Sequence, residues 1–328
     1  MKAMLCKAFG PPESLVLEEQ PSKPLGPGQV RIAVHAAGVN FPDVLMIQGK
    51  YQFKPPFPFA PGAEVAGEVV EVAPDVTSVQ KGERVMAMIG AGGFADEAIA
   101  AAVSCMQLPK SMDYVVAAGF SMTYGTSYYA LVQRAQLKSG EVLLVHGAAG
   151  GVGTAAIDLG KKLGAKIIAT GGSDDKLARI AKHYGLEHTI NYQTEPAWKD
   201  RVKAITAGRG ADVVYDAVGG DLLESSLRCV NWNSRVLVIG FAGGEIPKIP
   251  ANLVLLKGAS LIGVFWGAWL GREPQVNRAN FQTMFEWYEA GTLKPIVSHT
   301  FPIERAADAL NCVIRREVVG KCVITTGR

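Results

Sequence analysis

Cysteine is scarce and poorly placed for pairing. The five cysteines, Cys6, Cys105, Cys229, Cys312 and Cys322, are odd in number and form no CxxC pair. That excludes a disulfide framework and a cysteine-rich metal site, and it fits a reducing, cytoplasmic compartment. Long hydrophobic runs are also missing. The longest, from Leu261 to Leu270, falls far short of the roughly 20 residues of a membrane span. The opening MKAMLCKAFGPPES lacks the apolar core of a secretory signal. Neither sign of charge dominates: 33 Lys and Arg face 30 Asp and Glu, a formal +3. So small an excess predicts neither a nucleic-acid binder nor a polybasic membrane protein. No two of the five histidines have ligand spacing, and no Ser/His/Asp triad is visible.

Apolar residues and glycine are abundant. The chain is 48% hydrophobic, which excludes disorder as its main state, and it carries 37 glycines in 328 residues. A prior of about 150 residues per domain predicts two domains. The first third reads as β-rich. Val30, Ile32 and Val34 alternate along one strand, and 65–72 and 84–89 are further apolar runs. PSKPLGPG, KPPFPFAPG and GAGG punctuate them, as in an irregular barrel or sandwich. Pro42, Pro55, Pro56, Pro58 and Pro61 predict a long non-helical stretch.

The rhythm changes near residue 140. Val142 to Val145 is a short continuous apolar run, typical of a strand buried on both faces. A helical pattern over 152–164 and a strand over 166–170 follow. Ser173 reads as the cap of a helix closed by Gly185, and Thr194 as the cap of another with Pro196 near its start. Strands are expected at 188–190, 212–216, 235–240 and 260–265, and helices at 280–290 and 306–314 before a last strand near 322–325. The fold class is therefore α/β, a Rossmann-type doubly wound parallel sheet plus a β-rich domain.

The strongest motif is VLLVHGAAGGVGTAAIDLGKKLGA. A buried strand enters a glycine turn that opens a helix, and Gly150, Gly151 and Gly153, with Val152 between them, leave room for phosphate on backbone N–H groups. Ala148 breaks the pure G-x-G-x-x-G pattern, but the strand–turn–helix–strand context supports dinucleotide binding. The next strand ends in Gly171-Gly172-Ser173 without the carboxylate that grips a ribose 2′-hydroxyl. Ser173, Lys176 and Tyr192 can face a 2′-phosphate there, so NADPH (NADP+) is expected rather than NADH. Asp174 and Asp175 are a countersignal, although acids in a first helical turn are ordinary dipole chemistry.

Six segments together resemble one family: AAGVNFPDVLMIQGKY, FPFAPGAEVAGEVVEV, MTYGTSYYAL, HGAAGGVG, DVVYDAVGG and LIGVFWGAW. The sequence is similar to the zinc-free quinone oxidoreductase (zeta-crystallin-like) branch of the medium-chain dehydrogenase/reductases. The resemblance covers the whole chain. It implies a GroES-like catalytic domain over 1–122, an NADPH-binding domain over 123–265 and a return to the catalytic domain over 266–328. The zinc ligands of metal-dependent relatives match Asn40, Ala63 and Met122 here, none a thiolate or imidazole donor.

The resemblance implies roles for further residues. Asn40 would line the nicotinamide end and donate to the acceptor oxygen. Thr126 would touch the nicotinamide, although it also reads as a helix cap, and Tyr51 would stand at the cleft rim. Val218, Gly240 and Phe241 would lie along the cofactor, Phe265 and Trp266 would close over it, and Arg316 would reach it. Leu45 and Ile47 replace a Tyr and an Arg of better-known bacterial members, making the pocket more apolar. The implied reaction is hydride transfer from NADPH to a quinone. Reduction of an activated C=C bond (enone, haloacrylate or enoyl thioester) and a non-catalytic crystallin-like role remain alternatives. The small-molecule electron acceptor is the expected partner. The apolar strand 260–266 predicts an edge-to-edge homodimer.

Overall fold

The computed structural model describes all 328 residues. They form two compact units, 1–122 with 296–328, and 123–295. The stretch 266–295, expected to return to the catalytic domain, clusters with the second unit instead. The strands, in chain order, are β1 (Lys2–Leu5), β2 (Val16–Glu19), β3 (Gln29–Val39), β4 (Glu64–Val72), β5 (Arg84–Met88), β6 (Glu97–Ala101) and β7 (Cys105–Gln107). The second unit supplies β8 (Val142–His146), β9 (Lys166–Gly171), β10 (His188–Asn191), β11 (Ala211–Asp216), β12 (Val230–Val238) and β13 (Ser260–Gly263). The chain returns to the first unit with β14 (Val297–Pro302) and β15 (Lys321–Thr325). No helix is long and apolar enough to cross a membrane.

In the first unit β3 is the hub. It pairs antiparallel with β4 along one edge and with β6 and β15 in turn along the other, so both of its hydrogen-bonding edges have partners. Val30, Ile32 and Val34 are fully buried in a core shared with Val65, Val69 and Phe94. Pro42 does not keep its stretch extended. It occupies the first turn of the helix Phe41–Ile47, where a missing N–H costs nothing. Ile47 is fully buried in this core, so it lines no pocket.

The second unit is a six-stranded parallel sheet of order β10-β9-β8-β11-β12-β13. The order reverses beside β8, which makes its carboxyl end the topological switch point where such sheets bind ligands. Two predicted boundaries shift. The helix expected to start at Thr194 is Trp198–Ile205, because Thr194 is held in a turn by its N–H on the Asn191 carbonyl. The helix expected over 280–290 begins at Pro274, another proline at a helix start.

His146 closes β8. Its ring is fully buried, with Nδ1 2.6 Å from Thr170 Oγ1 and Nε2 2.8 Å from Ser226 Oγ. It thus ties β8 to β9 and to the helix Gly220–Ser226. Burial disfavours the imidazolium and pushes the pKa down to about 3 from 6.5. A folded-state pKa below the unfolded value gives stability that is full above pH 6.5 and is lost as pH falls towards 3. The melting temperature should therefore drop more steeply on acidification in the wild type than in His146→Gln. Parallel slopes in circular-dichroism melts across this range would contradict the assignment.

Candidate active site

The glycine turn sits at the carboxyl end of β8. Gly147 has φ +64°, and Gly150 is the N-cap of the helix Gly151–Lys162 with no side chain capping it. A Cβ on Gly153 would lie 2.3 Å from the Gly147 carbonyl oxygen, so only glycine lets the turn close. The backbone N–H groups of Gly151, Val152 and Gly153 begin this helix. Its dipole favours negative charge there. The cradle thus fits a dinucleotide pyrophosphate. Two residues that the sequence reading missed brace it. Ser127 Oγ donates to the Val152 carbonyl at 3.0 Å and lies 2.8 Å from the Tyr215 hydroxyl.

Neighbouring strand ends complete the edge. After β9, Gly172 lies beside the Tyr192 ring, where a Cβ would come within 3.5 Å. Ser173 caps the next helix by accepting from the Lys176 N–H. Asp174 is drawn aside, its carboxylate accepting from Asn191 Nδ2 at 2.9 Å. Gly172 and Tyr192 thus lie side by side, Ser173 and Lys176 share the opening turn of the helix, and the exposed Asp175 stands in that same turn. After β11, Asp216 Oδ1 accepts from the N–H groups of Val218 and Gly219, at 2.6 and 3.0 Å. Burial pushes the Asp216 pKa up to about 6. Val218 packs on Gly147, and Phe241 on Gly219. Gly240 and Phe241 follow β12 and are tied to the same loop through Ala242 N–H on the Ala217 carbonyl.

Thr126 is half-buried inside the helix Ser121–Tyr128, so it is no helix cap. Trp266 departs from expectation. Its ring is 4% exposed, lies on the Gly125 backbone against Phe281, and donates to Asn277 Oδ1 at 3.1 Å. It is core, and only the neighbouring Phe265, 62% exposed, keeps a free ring. Arg316 belongs to the first unit, exposed in the turn after the helix Ala306–Ile314 with φ +56°.

The first unit also holds Asn40 and Tyr51. Asn40 is 8% exposed and its amide is engaged. Oδ1 accepts from Lys321 Nζ at 2.7 Å, and Nδ2 donates to Glu64 Oε1 at 2.8 Å. The amide orientation is unambiguous, since an ammonium only donates and a carboxylate only accepts. The second Nδ2 hydrogen has only a 3.4 Å approach to the Gly38 carbonyl, beyond a good hydrogen bond. Asn40 is therefore not the free amide the resemblance implied, and it has one weakly held donor.

Glu64, fully buried, anchors this cluster. It also accepts from Lys321 Nζ at 2.9 Å, Ser121 Oγ at 2.9 Å and the Met122 N–H at 2.8 Å. Gly38 makes room for it, because a Cβ there would lie 2.4 Å from Glu64 Oε1. Asp43 accepts from the N–H groups of Asn40 and Gly62, and burial pushes its pKa up to about 7. Tyr51 is half-buried and its phenol is held above its usual range, first by burial and then by the Asp43 charge. Sequence reading missed Glu64, Asp43 and Lys321. A charge opening a short apolar run, as in Glu64-Val65-Ala66 and Lys321-Cys322-Val323, was the available clue. No group of three or more His, Cys, Asp or Glu is placed to hold a metal ion.

Comparison with known proteins fits this geometry. Residues 26–110 match the alcohol dehydrogenase GroES-like domain, and residues 151–290 the zinc-binding dehydrogenase family. A quinone oxidoreductase-like protein 2 homolog of Nematostella vectensis is 41% identical over 99% of this chain and 89% of its own. The chain belongs to the quinone oxidoreductase branch of the medium-chain dehydrogenase/reductases. Solved structures agree with that membership. A Pseudomonas syringae quinone oxidoreductase superposes with a TM-score of 0.91 at 30% identity, covering 99% of both chains. A mycobacterial protein complexed with NADPH gives a TM-score of 0.91 at 27% identity, over 99% of this chain and 100% of its own. A 2-haloacrylate reductase gives 0.87 at 31% identity over the whole of both chains.

Proposed function

We propose that this quinone oxidoreductase family member transfers hydride from NADPH to a quinone without a metal. The carrying observation is the pairing of the uncapped glycine-rich helix start at Gly150–Gly153 with a β9 end that has Ser173, Lys176 and Tyr192 and no carboxylate of its own, the first acids, Asp174 and Asp175, lying in the opening turn of the next helix. NADPH supplies the hydride. The N–H groups of Gly151, Val152 and Gly153 take the pyrophosphate. Lys176 and the Ser173 hydroxyl, beside Gly172 and Tyr192, hold the 2′-phosphate that distinguishes NADPH from NADH. Val218, Gly240 and Phe241 line the path, Thr126 and Phe265 attend the nicotinamide, and Arg316 is a further cofactor-binding residue. Asn40 donates its weakly held N–H to the acceptor oxygen as negative charge develops there, and Tyr51 stands at the rim. A quinone suits one such donor, because its reduced form is stable as an oxyanion and takes its proton from water.

Zinc independence has chemical support. The positions that match metal ligands in metal-dependent relatives are Asn40, Ala63 and Met122, and the Asn40 amide oxygen already faces the Lys321 ammonium. The likeness to a 2-haloacrylate reductase favours reduction of an activated C=C bond as the second reading. That reaction also needs a proton at the α-carbon, and Tyr51 is the acid assigned to supply it. A non-catalytic NADPH-binding role is a third.

The exposed apolar edge supports a homodimer. β13 ends the sheet with Leu261 42% exposed, and Leu255, Leu256 and Trp232 stand exposed on neighbouring segments. Light scattering at micromolar concentration should give twice the chain mass, and a monomer would refute the interface. Activity is tested by NADPH oxidation with a small quinone beside a matched acyclic enone, each repeated with NADH. Quinone turnover that prefers NADPH is expected. Lys176→Ala should raise the KM for NADPH about tenfold, as loss of one charge-assisted hydrogen bond would, and leave that for NADH unchanged. Turnover of the enone alone would favour the second reading, and NADPH binding without turnover the third.

A further inference from the structure

We propose that Lys321 is a positioning residue that orients the Asn40 amide and polarises it for donation to the acceptor. The inference rests on the reading of Asn40 given above and extends it to a residue on the neighbouring strand. Lys321 begins β15, which pairs with β3. Pairing of Cys322 with Val39 brings the lysine beside the end of β3, where Asn40 follows. Its stem passes over Gly119, where a Cβ would come within 3.0 Å of Lys321 Cγ. A bulkier residue at Gly119 would displace the ammonium.

The ammonium has no hydrogen left for a substrate. Its three N–H groups meet the Val39 carbonyl at 3.0 Å, Asn40 Oδ1 at 2.7 Å and Glu64 Oε1 at 2.9 Å. Three donors and three acceptors leave it saturated. Lys321 therefore acts through what it holds. Two consequences follow for Asn40. Its carbonyl oxygen is fixed towards Lys321, so its NH2 group must point away from the ammonium. A positive charge on an amide oxygen also draws electron density from the nitrogen and strengthens the remaining N–H as a donor, a cooperative effect that a low-dielectric site enlarges. Glu64 takes one of the two hydrogens firmly, and the other is the loosely held one. The cluster thus presents one polarised N–H in a fixed direction.

The competing view makes Lys321 a counter-ion that merely keeps the buried Glu64 carboxylate stable. Removing one partner of such a pair leaves an uncompensated buried charge, so Lys321→Met alone can fail to fold. Lys321→Met/Glu64→Gln removes both charges together and keeps the comparison usable.

The test is a double-mutant cycle on the full chain with NADPH and a small quinone. Asn40→Ala should lower kcat roughly 100-fold, the effect of losing an oxyanion donor, with the affinity for NADPH, read by fluorescence titration, unchanged. Lys321→Met/Glu64→Gln should melt close to the wild type yet lose kcat about tenfold or more, with KM for NADPH unchanged. In the Asn40→Ala background the same pair of changes should cost nothing further. Recovery of wild-type kcat in Lys321→Met/Glu64→Gln would leave Lys321 as a counter-ion only. Losses that multiply with Asn40→Ala would mean that it acts independently of Asn40. Either result overturns the proposal while the Asn40 reading stands. Unchanged kcat in Asn40→Ala overturns both.

Discussion

One buried carboxylate organises the first unit. Glu64 has no exposed surface, and water cannot meet its four lone-pair positions. They are met by Asn40, Lys321, Ser121 and the Met122 backbone. These donors come from the end of β3, the start of β15 and the start of the helix Ser121–Tyr128. The chain cannot bury Glu64 without bringing all three segments together. Such a network stabilises only when complete, because each missing donor leaves a desolvated acceptor. Gly38 and Gly119 are the spaces it requires.

The second unit follows a different constraint, the parallel sheet's demand that ligands approach from the carboxyl ends of its strands. Four successive strand ends carry the candidate contacts: the glycine turn after β8, Ser173 after β9, Val218 after β11 and Phe241 after β12. Each is held by backbone or short side-chain bonds rather than by a long flexible side chain. Asp216 fastens the third loop and His146 seals the strand that leads into the first. The edge is therefore built before any cofactor arrives, which lowers the entropic cost of binding.

Much of this was legible in the sequence. The βα rhythm from residue 140 locates the sheet because buried parallel strands read as uninterrupted apolar runs, and the glycine turn declares itself by spacing. The Rossmann-like half and the chemistry of its loops follow from local pattern. What was not legible depends on long-range pairing. Asn40 looks like an open amide until β15, some 280 positions away, delivers Lys321 to it. Trp266 looks like a cofactor lid until Gly125 and Phe281 receive its ring. Pro42 misled, because a helix start tolerates the missing N–H that a helix interior does not.

The central claim is that an internal ammonium, not a metal ion, sets the polar end of the catalytic pocket. Metal analysis of the purified enzyme, paired with NADPH–quinone turnover before and after exhaustive dialysis against a chelator, tests it most directly. The account predicts no stoichiometric zinc and unchanged turnover. Stoichiometric zinc whose removal abolishes turnover, with recovery on adding it back, would contradict it.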